Sequence, residues 1–351
     1  ARDVFRKMEL GDENYLKLWQ VFRKESLKEF TNVYDILKVR FDSYAGEAFY
    51  NDKIEAVVDK LEDLKLLEID DGATIVNLGD EMPPALIKRS DGGTLYITRD
   101  LTALLYRHEN YNFSKILYVV GNEQKLHFEQ LKKVSYLMGY DFDLVHVNFG
   151  LVLIDGKKMS TRSGTNANLL TIIKEAILEA KNQILEKNPQ LENIHDISKK
   201  IGVGAIIFND LKNERNLDID FDLENMLKFE GQTGPYVQYS SVRINSILKK
   251  ETIKDNLIDY KVFKDEFYFE LIKLVDSFVE IIDKARLDNS PSIIAKYLLA
   301  LSQSFNRFYG KHKIVVDDKG ILNANLALIK AVRLVLNEGL RLLGIDYLDE
   351  M

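Results

Sequence analysis

Apolar positions recur at helical spacing from the start of the chain. Phe5, Met8, Leu16, Trp19, Val21 and Phe22 predict one or two amphipathic helices over residues 1–40, ending near Lys38-Val39-Arg40. Phe41 to Tyr50 is expected as a short strand and turn, and Ile54, Val57, Val58, Leu61 and Leu64 predict a helix over 51–65. From 66 to 98 short β-like pieces alternate with turn signals: Leu67-Glu68-Ile69, Thr74-Ile75-Val76, Ala85-Leu86-Ile87, then Asp91-Gly92-Gly93 before Leu95-Tyr96-Ile97. Helix is expected to resume from Asp100 to Arg107.

The run Lys115 to Val120 is almost continuously apolar and ends in Gly121, the pattern of a buried parallel strand. A helix over 124–138 and a strand from Asp143 to Val147 complete a strand–helix–strand unit, which argues for a parallel α/β sheet. Beyond about residue 168 the β signal fades. Helical periodicity covers 169–187, 197–213, 223–250, 264–288, 291–309 and 324–343, with Pro291 suited to a first turn and Gly344 to a stop. The second half is therefore expected to be all-helical.

Composition narrows the picture. A chain of 351 residues suits two or three domains of about 150 residues each. With 46% hydrophobic and 29% charged residues it can bury sizeable cores, and the absence of cysteine excludes disulfides, thiolate zinc sites and a cysteine nucleophile. The apolar runs, such as Ala205 to Phe208, fall short of the roughly 20 residues a membrane span needs, so a cytoplasmic chain without a membrane partner is expected. The net charge of −7 is uneven: residues 236–351 carry 17 Lys+Arg against 16 Asp+Glu, and the rest 31 against 39. That is no strongly basic nucleic-acid binder, although a local basic face fits the near-neutral half.

The most informative segment is Gly156-Lys157-Lys158-Met159-Ser160-Thr161-Arg162-Ser163-Gly164. A glycine-flanked loop with three cations and several hydroxyls suits a polyphosphate whose charge must be offset as a bond to phosphorus breaks. The same composition also describes a solvated basic loop, and Walker A spacing is absent. In Leu95-Tyr96-Ile97-Thr98-Arg99-Asp100 the aspartate is either a helix N-cap or a carboxylate facing a cavity with Tyr96. Glu47, taken alone, reads as a surface turn residue. His127, in Gly121-Asn122-Glu123-Gln124-Lys125-Leu126-His127-Phe128, reads as a packed or capping histidine or a proton shuttle. Tyr239 and Arg243 share a helix face, which suits an unstacked RNA base or simply a core ring beside a surface cation.

Taken together these segments resemble arginyl-tRNA synthetases of class I. Lys158-Met159-Ser160-Thr161-Arg162 is similar to the KMSKS loop, preceded by Phe149-Gly150-Leu151-Val152. Leu95 to Asp100 is similar to the family's arginine pocket, Phe41 to Tyr50 to a segment whose glutamate faces the substrate guanidinium, and Phe229 to Arg243 to the start of its anticodon-binding domain. Phe305 to Lys313 and Leu342 to Met351 extend the likeness to the end of the chain.

The resemblance implies α/β followed by all-α architecture. The second half of a Rossmann-like parallel sheet with inserted α/β elements would occupy 1–230, including the loop at 156–164, and a helical-bundle anticodon-binding domain 231–351. It implies an arginine–tRNA ligase, activating L-arginine with ATP and Mg²⁺ and transferring it to tRNA(Arg), working as a monomer and without a tightly bound protein metal site. Lys158, Ser160 and Arg162 would be catalytic, and Gly150, Leu151, Val152, Lys158 and Met159 would bind ATP. Glu47, Tyr96, Asp100 and Gln124 would bind arginine, and Tyr239, Arg243, Tyr309 and Met351 would bind tRNA.

Two departures stand out. Thr161 and Arg162 replace the last two KMSKS positions, so Lys157 or Arg162 is expected to supply the missing lysine's charge. None of His108, His127, His146, His195 and His312 belongs to an HIGH-type motif. The expectation is therefore a truncated, inactive or weakly active part of a longer enzyme. Alternatives of another class are a non-catalytic RNA-binding paralogue and a different nucleotidyltransferase.

Overall fold

A computed structural model of the chain describes residues 4, 7–8, 11–154, 156–158, 168–253 and 257–351. It divides into two compact units, residues 1–32 with 39–150, and 33–38 with 151–351. The first helix, α1 (Glu13–Leu37), crosses this division and has no buried residue; Leu18, Val21, Phe22 and Phe30 are all exposed.

In unit 1 a 3₁₀ helix (Glu47–Lys53) leads into α2 (Ile54–Asp63). Three antiparallel strands follow, β1 (Leu67–Asp70), β2 (Ala73–Val76) and β3 (Ala85–Lys88), then α3 (Tyr96–Tyr111). Next come β4 (Ile116–Gly121), α4 (Lys125–Leu137) and β5 (Leu144–Phe149), with β4 and β5 parallel and Ile116 opposite Leu144. The core joins Ile54, Leu61, Ile87, Leu101, Leu104 and Leu131, one apolar stripe from each helix and the inner face of the meander.

Two expectations fail here for local reasons. Phe41 to Tyr50 forms no strand. Phe49 and Tyr50 turn back so that both rings meet Tyr106 edge-on, at 5.2 and 5.6 Å, and a tight 3₁₀ turn does this where an alternating strand would send them to opposite faces. Leu95-Tyr96-Ile97 is not β either. Leu95 O accepts from Thr98 N and Arg99 N, Thr98 Oγ1 donates to Ile87 O at 2.6 Å, and the helix starts at Tyr96. Buried contacts override the β preference of Tyr, Ile and Thr.

In unit 2, β6 (Val152–Ile154) pairs antiparallel with β7 (Lys157–Lys158) and parallel with β8 (Ile219–Asp220). The helices are α5 (Leu169–Lys187), α6 (Ile194–Leu211), the single turn α7 (Leu223–Met226), α8 (Gly234–Leu248), α9 (Glu266–Asp276), α10 (Phe278–Leu287), α11 (Pro291–Lys311) and α12 (Lys319–Leu342). The continuous helix expected over 223–250 is broken because Thr233 caps α8, its Oγ1 accepting from Tyr236 N at 3.2 Å, with Pro235 in the first turn. That over 264–288 is broken at Ser277. The strand β8 departs from the all-helical expectation; Asp218-Ile219-Asp220-Phe221-Asp222 carries a period of two, the one local signal for it.

The core of unit 2 packs Phe208, Ile244, Leu298, Phe305, Leu326 and Val332 from four helices. Although α12 is long and apolar enough to cross a membrane, its apolar stripe faces that core and its Asn323 and Asn325 are buried.

Candidate functional site

Helix α3 carries Tyr96 and Asp100 one turn apart on one face. Asp100 is the fifth helical residue, so the N-cap reading falls: Leu95 occupies the cap. Its Oδ2 lies 2.6 Å from His127 Nε2 in the first turn of α4, both side chains only partly exposed. Tyr96 is largely exposed. Glu47 opens the 3₁₀ helix and lies 3.5 Å from Arg99 Nη1, so in this state it faces a guanidinium of the chain itself. Gln124 sits exposed just before α4, at the carboxyl end of β4, where open parallel sheets place ligands.

Beneath this face, Arg107 Nη1 donates to the Tyr118 hydroxyl at 3.3 Å and its guanidinium lies 5.8 Å from the Tyr50 ring centre. Burial pushes the Tyr118 phenol up to about 12; the Arg107 cation opposes the shift and the Asp100 charge adds to it. Tyr50 and Tyr118 carry no mark in the sequence, because only the fold brings them to Arg107.

The phosphate-loop candidate grows from a hairpin. Leu153 pairs with Lys158 and Ile154 with Lys157, and Gly156 makes the turn at φ +69°, a conformation that favours glycine. Two aspartates, one just before β8 and one within it, support it: Leu151 N donates to Asp218 Oδ1 at 2.7 Å and Gly156 N to Asp220 Oδ1 at 3.2 Å. Gly150 precedes the hairpin, and Val152 is exposed on β6. Met159, Ser160, Thr161 and Arg162 lie outside the described residues.

The helical unit brings together the four residues expected to meet RNA in two overlapping groups. Arg243 lies between two rings, with its guanidinium carbon 4.8 Å from the Tyr239 centre and 4.9 Å from that of Tyr309. Arg243 Nη1 donates to Asn306 Oδ1, and Asn306 Nδ2 donates to the Tyr236 hydroxyl and Ser240 Oγ, each at 3.0 Å. Asn306 thus fixes the guanidinium plane, a role with no mark in the sequence. Tyr239 also lines an open groove of about 690 Å³ with Lys228, Phe229, Glu230 and Met351. Met351 is half-buried against the cluster containing Ile184 and Leu227. An aromatic–guanidinium ladder beside a groove is suited to splayed bases.

Among the described residues no group of three or more His, Cys, Asp or Glu could hold a metal ion.

The model of the family described as tRNA synthetases class I (R), catalytic domain, matches residues 1–223, and that of the DALR anticodon binding domain matches 237–351. Arginine–tRNA ligases of an Exiguobacterium species and of Bacillus cereus are each 50% identical over 100% of the chain, and one from Streptococcus pneumoniae is 52% identical. The chain spans 63% of the length of these curated relatives. Among solved structures, arginyl-tRNA synthetase from Plasmodium falciparum matches at a TM-score of 0.88 and 27% identity, over 100% of this chain and 61% of that one. That of Thermus thermophilus shares the fold, with a TM-score of 0.83 at 21% identity over 98% of this chain and 68% of its own.

Proposed function

The chain belongs to the class I tRNA synthetase (R) family, and from that premise we propose that it supplies the leaving-group loop, the amino-acid pocket and the anticodon-reading surface of an arginine–tRNA ligase. The substrates are L-arginine, ATP and tRNA(Arg). The arginine carboxylate attacks the α-phosphorus in line, forming arginyl-adenylate and releasing pyrophosphate. A terminal ribose hydroxyl of the tRNA then attacks the activated carbonyl carbon and AMP leaves. Catalysis of the first step is mainly positioning and charge stabilisation. Mg²⁺ enters with the nucleotide as part of that substrate.

Each residue takes a limited part. Asp100 and Glu47 pair with the substrate guanidinium, a planar fork that two carboxylates tell from a lysine point charge, and Tyr96 flanks it. Gln124 holds the α-amino or carboxylate group. Gly150, Leu151, Val152 and Met159 meet the nucleotide. Lys158, Ser160 and Arg162 hold the pyrophosphate as it leaves, with Lys157 or Arg162 standing in for the absent second lysine. Tyr239, Arg243, Tyr309 and Met351 read the anticodon loop. The working division is taken at 230/231, between the spans of the two family models, and the protein acts as a cytoplasmic monomer.

The observation that carries this reading is the Arg243 guanidinium held between Tyr239 and Tyr309 within the span matched by the anticodon domain. Binding of total tRNA, with bound species sequenced, tests it. Arginine isoacceptors are expected to be enriched by the wild-type chain and lost with Tyr239→Ala and Tyr309→Ala combined. No enrichment by a folded wild-type chain would overturn the anticodon assignment.

A further inference from the structure

Helix α8 has a second face whose polar residues the RNA reading leaves unused. Gln238, Ser241 and Asn245, spaced three and four apart, share one side of the helix, away from Tyr239 and Arg243. All three are buried, and buried amides are costly unless hydrogen-bonded. Ser241 Oγ donates to Asn337 Oδ1 at 2.6 Å within the helical core. The other two reach instead to the tail beyond α12. Gln238 Nε2 donates to Asp346 O at 2.7 Å and to Lys200 O at 3.3 Å, and Asn245 Nδ2 donates to Asp349 O at 2.7 Å.

The tail has no helix or strand to satisfy its carbonyls, so these donors take that part. Gly344 turns the chain at φ +75°, Ile345 is buried just ahead of the first tethered carbonyl, and Leu348 is buried between the two. The carboxylates are held as well: Asp346 by Lys38 Nζ at 2.6 Å, and Asp349 by Arg333 Nη2 at 2.6 Å. Gln238 Oε1 is buried without a hydrogen-bond partner among the described residues, so this amide is placed for its donors. The tail ends with Met351 in the groove beside Tyr239.

We infer that Gln238 and Asn245 are positioning residues: as two buried donors seven apart on α8 they fasten residues 345–351, so that Met351 forms one wall of the groove next to Tyr239. The consequence for RNA rests on the anticodon reading above. One helix then both presents the stacking pair and fixes the methionine that completes the same surface.

The isosteric pair Gln238→Glu and Asn245→Asp tests this, replacing donors by carboxylates that repel the tail carbonyls at nearly constant volume. The probe is the ε-methyl resonance of methionine labelled with carbon-13, with Met351 assigned by Met351→Leu among the six methionines. In the double variant the Met351 methyl is expected to move to the position and narrow width of an unstructured methionine, while the other five stay in place and report an intact fold. If the pair does not fold, Arg333→Gln, which touches the tail at the Asp349 carboxylate, is expected to give a smaller displacement in the same direction.

Affinity for a synthetic arginine anticodon stem-loop should fall about tenfold in the double variant. Removing Met351 from that variant should weaken it no further, because both changes act through one contact. A Met351 methyl unmoved by either variant, or already unstructured in the wild type, overturns the inference without touching the anticodon reading. A displaced methyl with unchanged RNA affinity, while Tyr239→Ala still weakens binding, overturns the link from tail to RNA. If Tyr239→Ala has no effect either, it is the anticodon reading that fails, and the fastening of the tail stands on the methyl result.

Discussion

His127 Nε2 stands 2.6 Å from Asp100 Oδ2, joining the first turn of α4 to the second turn of α3 across 27 residues of sequence. In the role proposed for Asp100, a carboxylate receiving a guanidinium benefits from having one oxygen already held, because its rotamer is then chosen before the ligand arrives. His127→Leu is expected to weaken arginine binding about tenfold, whereas His127→Gln, which keeps a donor, retains most of it. Equilibrium dialysis with labelled arginine checks this, with thermal melts showing that both variants stay folded. Equal losses in both would place His127 in packing alone.

Arg243 differs from a generic cation at its position because its guanidinium carbon lies 4.8 and 4.9 Å from two ring centres and the group is tied by Asn306. Lysine offers the charge without the plane or the fork. Arg243→Lys is therefore expected to lose stem-loop affinity nearly as fully as Arg243→Ala, on the order of tenfold or more. Asn306→Ala should give a smaller loss of the same kind. A titration in which Arg243→Lys matches wild type would reduce the residue to electrostatic attraction.

Gly202 shows how closely α5 and α6 pack. A Cβ built there would lie 2.7 Å from Ile177 N and 2.8 Å from Ala176 C, both backbone atoms that cannot move aside singly. Gly202→Ala, a change that normally favours a helix, is expected to destabilise by about 2–3 kcal/mol. Gly310→Ala in α11, where nothing lies within 4 Å, should be stabilising by at most about 1 kcal/mol. Urea unfolding of the two variants beside wild type gives both signs in one experiment.

The alkaline limb of stability follows from Tyr118. Burial raises its folded-state value to about 12, above the ordinary tyrosine value of 10.0, so the unfolded chain ionises first. The neutral phenol's contribution is fully present below pH 10, and is lost as pH rises from there through the folded value. The loss is about 2–3 kcal/mol at most. Tyr297, also raised by burial, adds in the same direction. Tyr118→Phe should flatten part of this decline in unfolding free energies measured between pH 9 and 11, and an unchanged slope would discount the assignment.

The sequence made much of this legible where one local signal governs. Pro291 and Gly344 mark the ends of the paired helices α11 and α12, and the apolar run into Gly121 marks β4 as a parallel strand, although not a buried one: Tyr118 is buried while Leu117 and Val119 are exposed. It misled where tertiary contacts overrule local preference. Thr98 trades a strand for a buried bond to Ile87, and Phe49 and Tyr50 turn toward Tyr106. The candidate site divides in the same way. Tyr239 and Arg243 are four apart and announce their shared face, whereas Tyr309 and Asn306 join them from a helix more than sixty residues on. Asp100 illustrates the middle case: the residue stands out in the sequence, but its partner His127 belongs to another helix and no periodicity connects the two.

Lys38 and Asp346 meet although 308 residues separate them in the sequence. Unit 2 gathers residues 33–38 with 151–351, so the whole of 39–150 is made in between. Synthesis therefore sets an order that the finished molecule conceals. The meander and the β4–α4–β5 unit emerge first and can close during elongation, while the end of α1 must wait, its ion-pair partner not yet translated. The helical unit is both the later to finish and the one that depends on the earlier segment. A gene that began at residue 151 would leave Asp346 without its lysine, and one rejoined in circular order would make the two neighbours in time as well as in space.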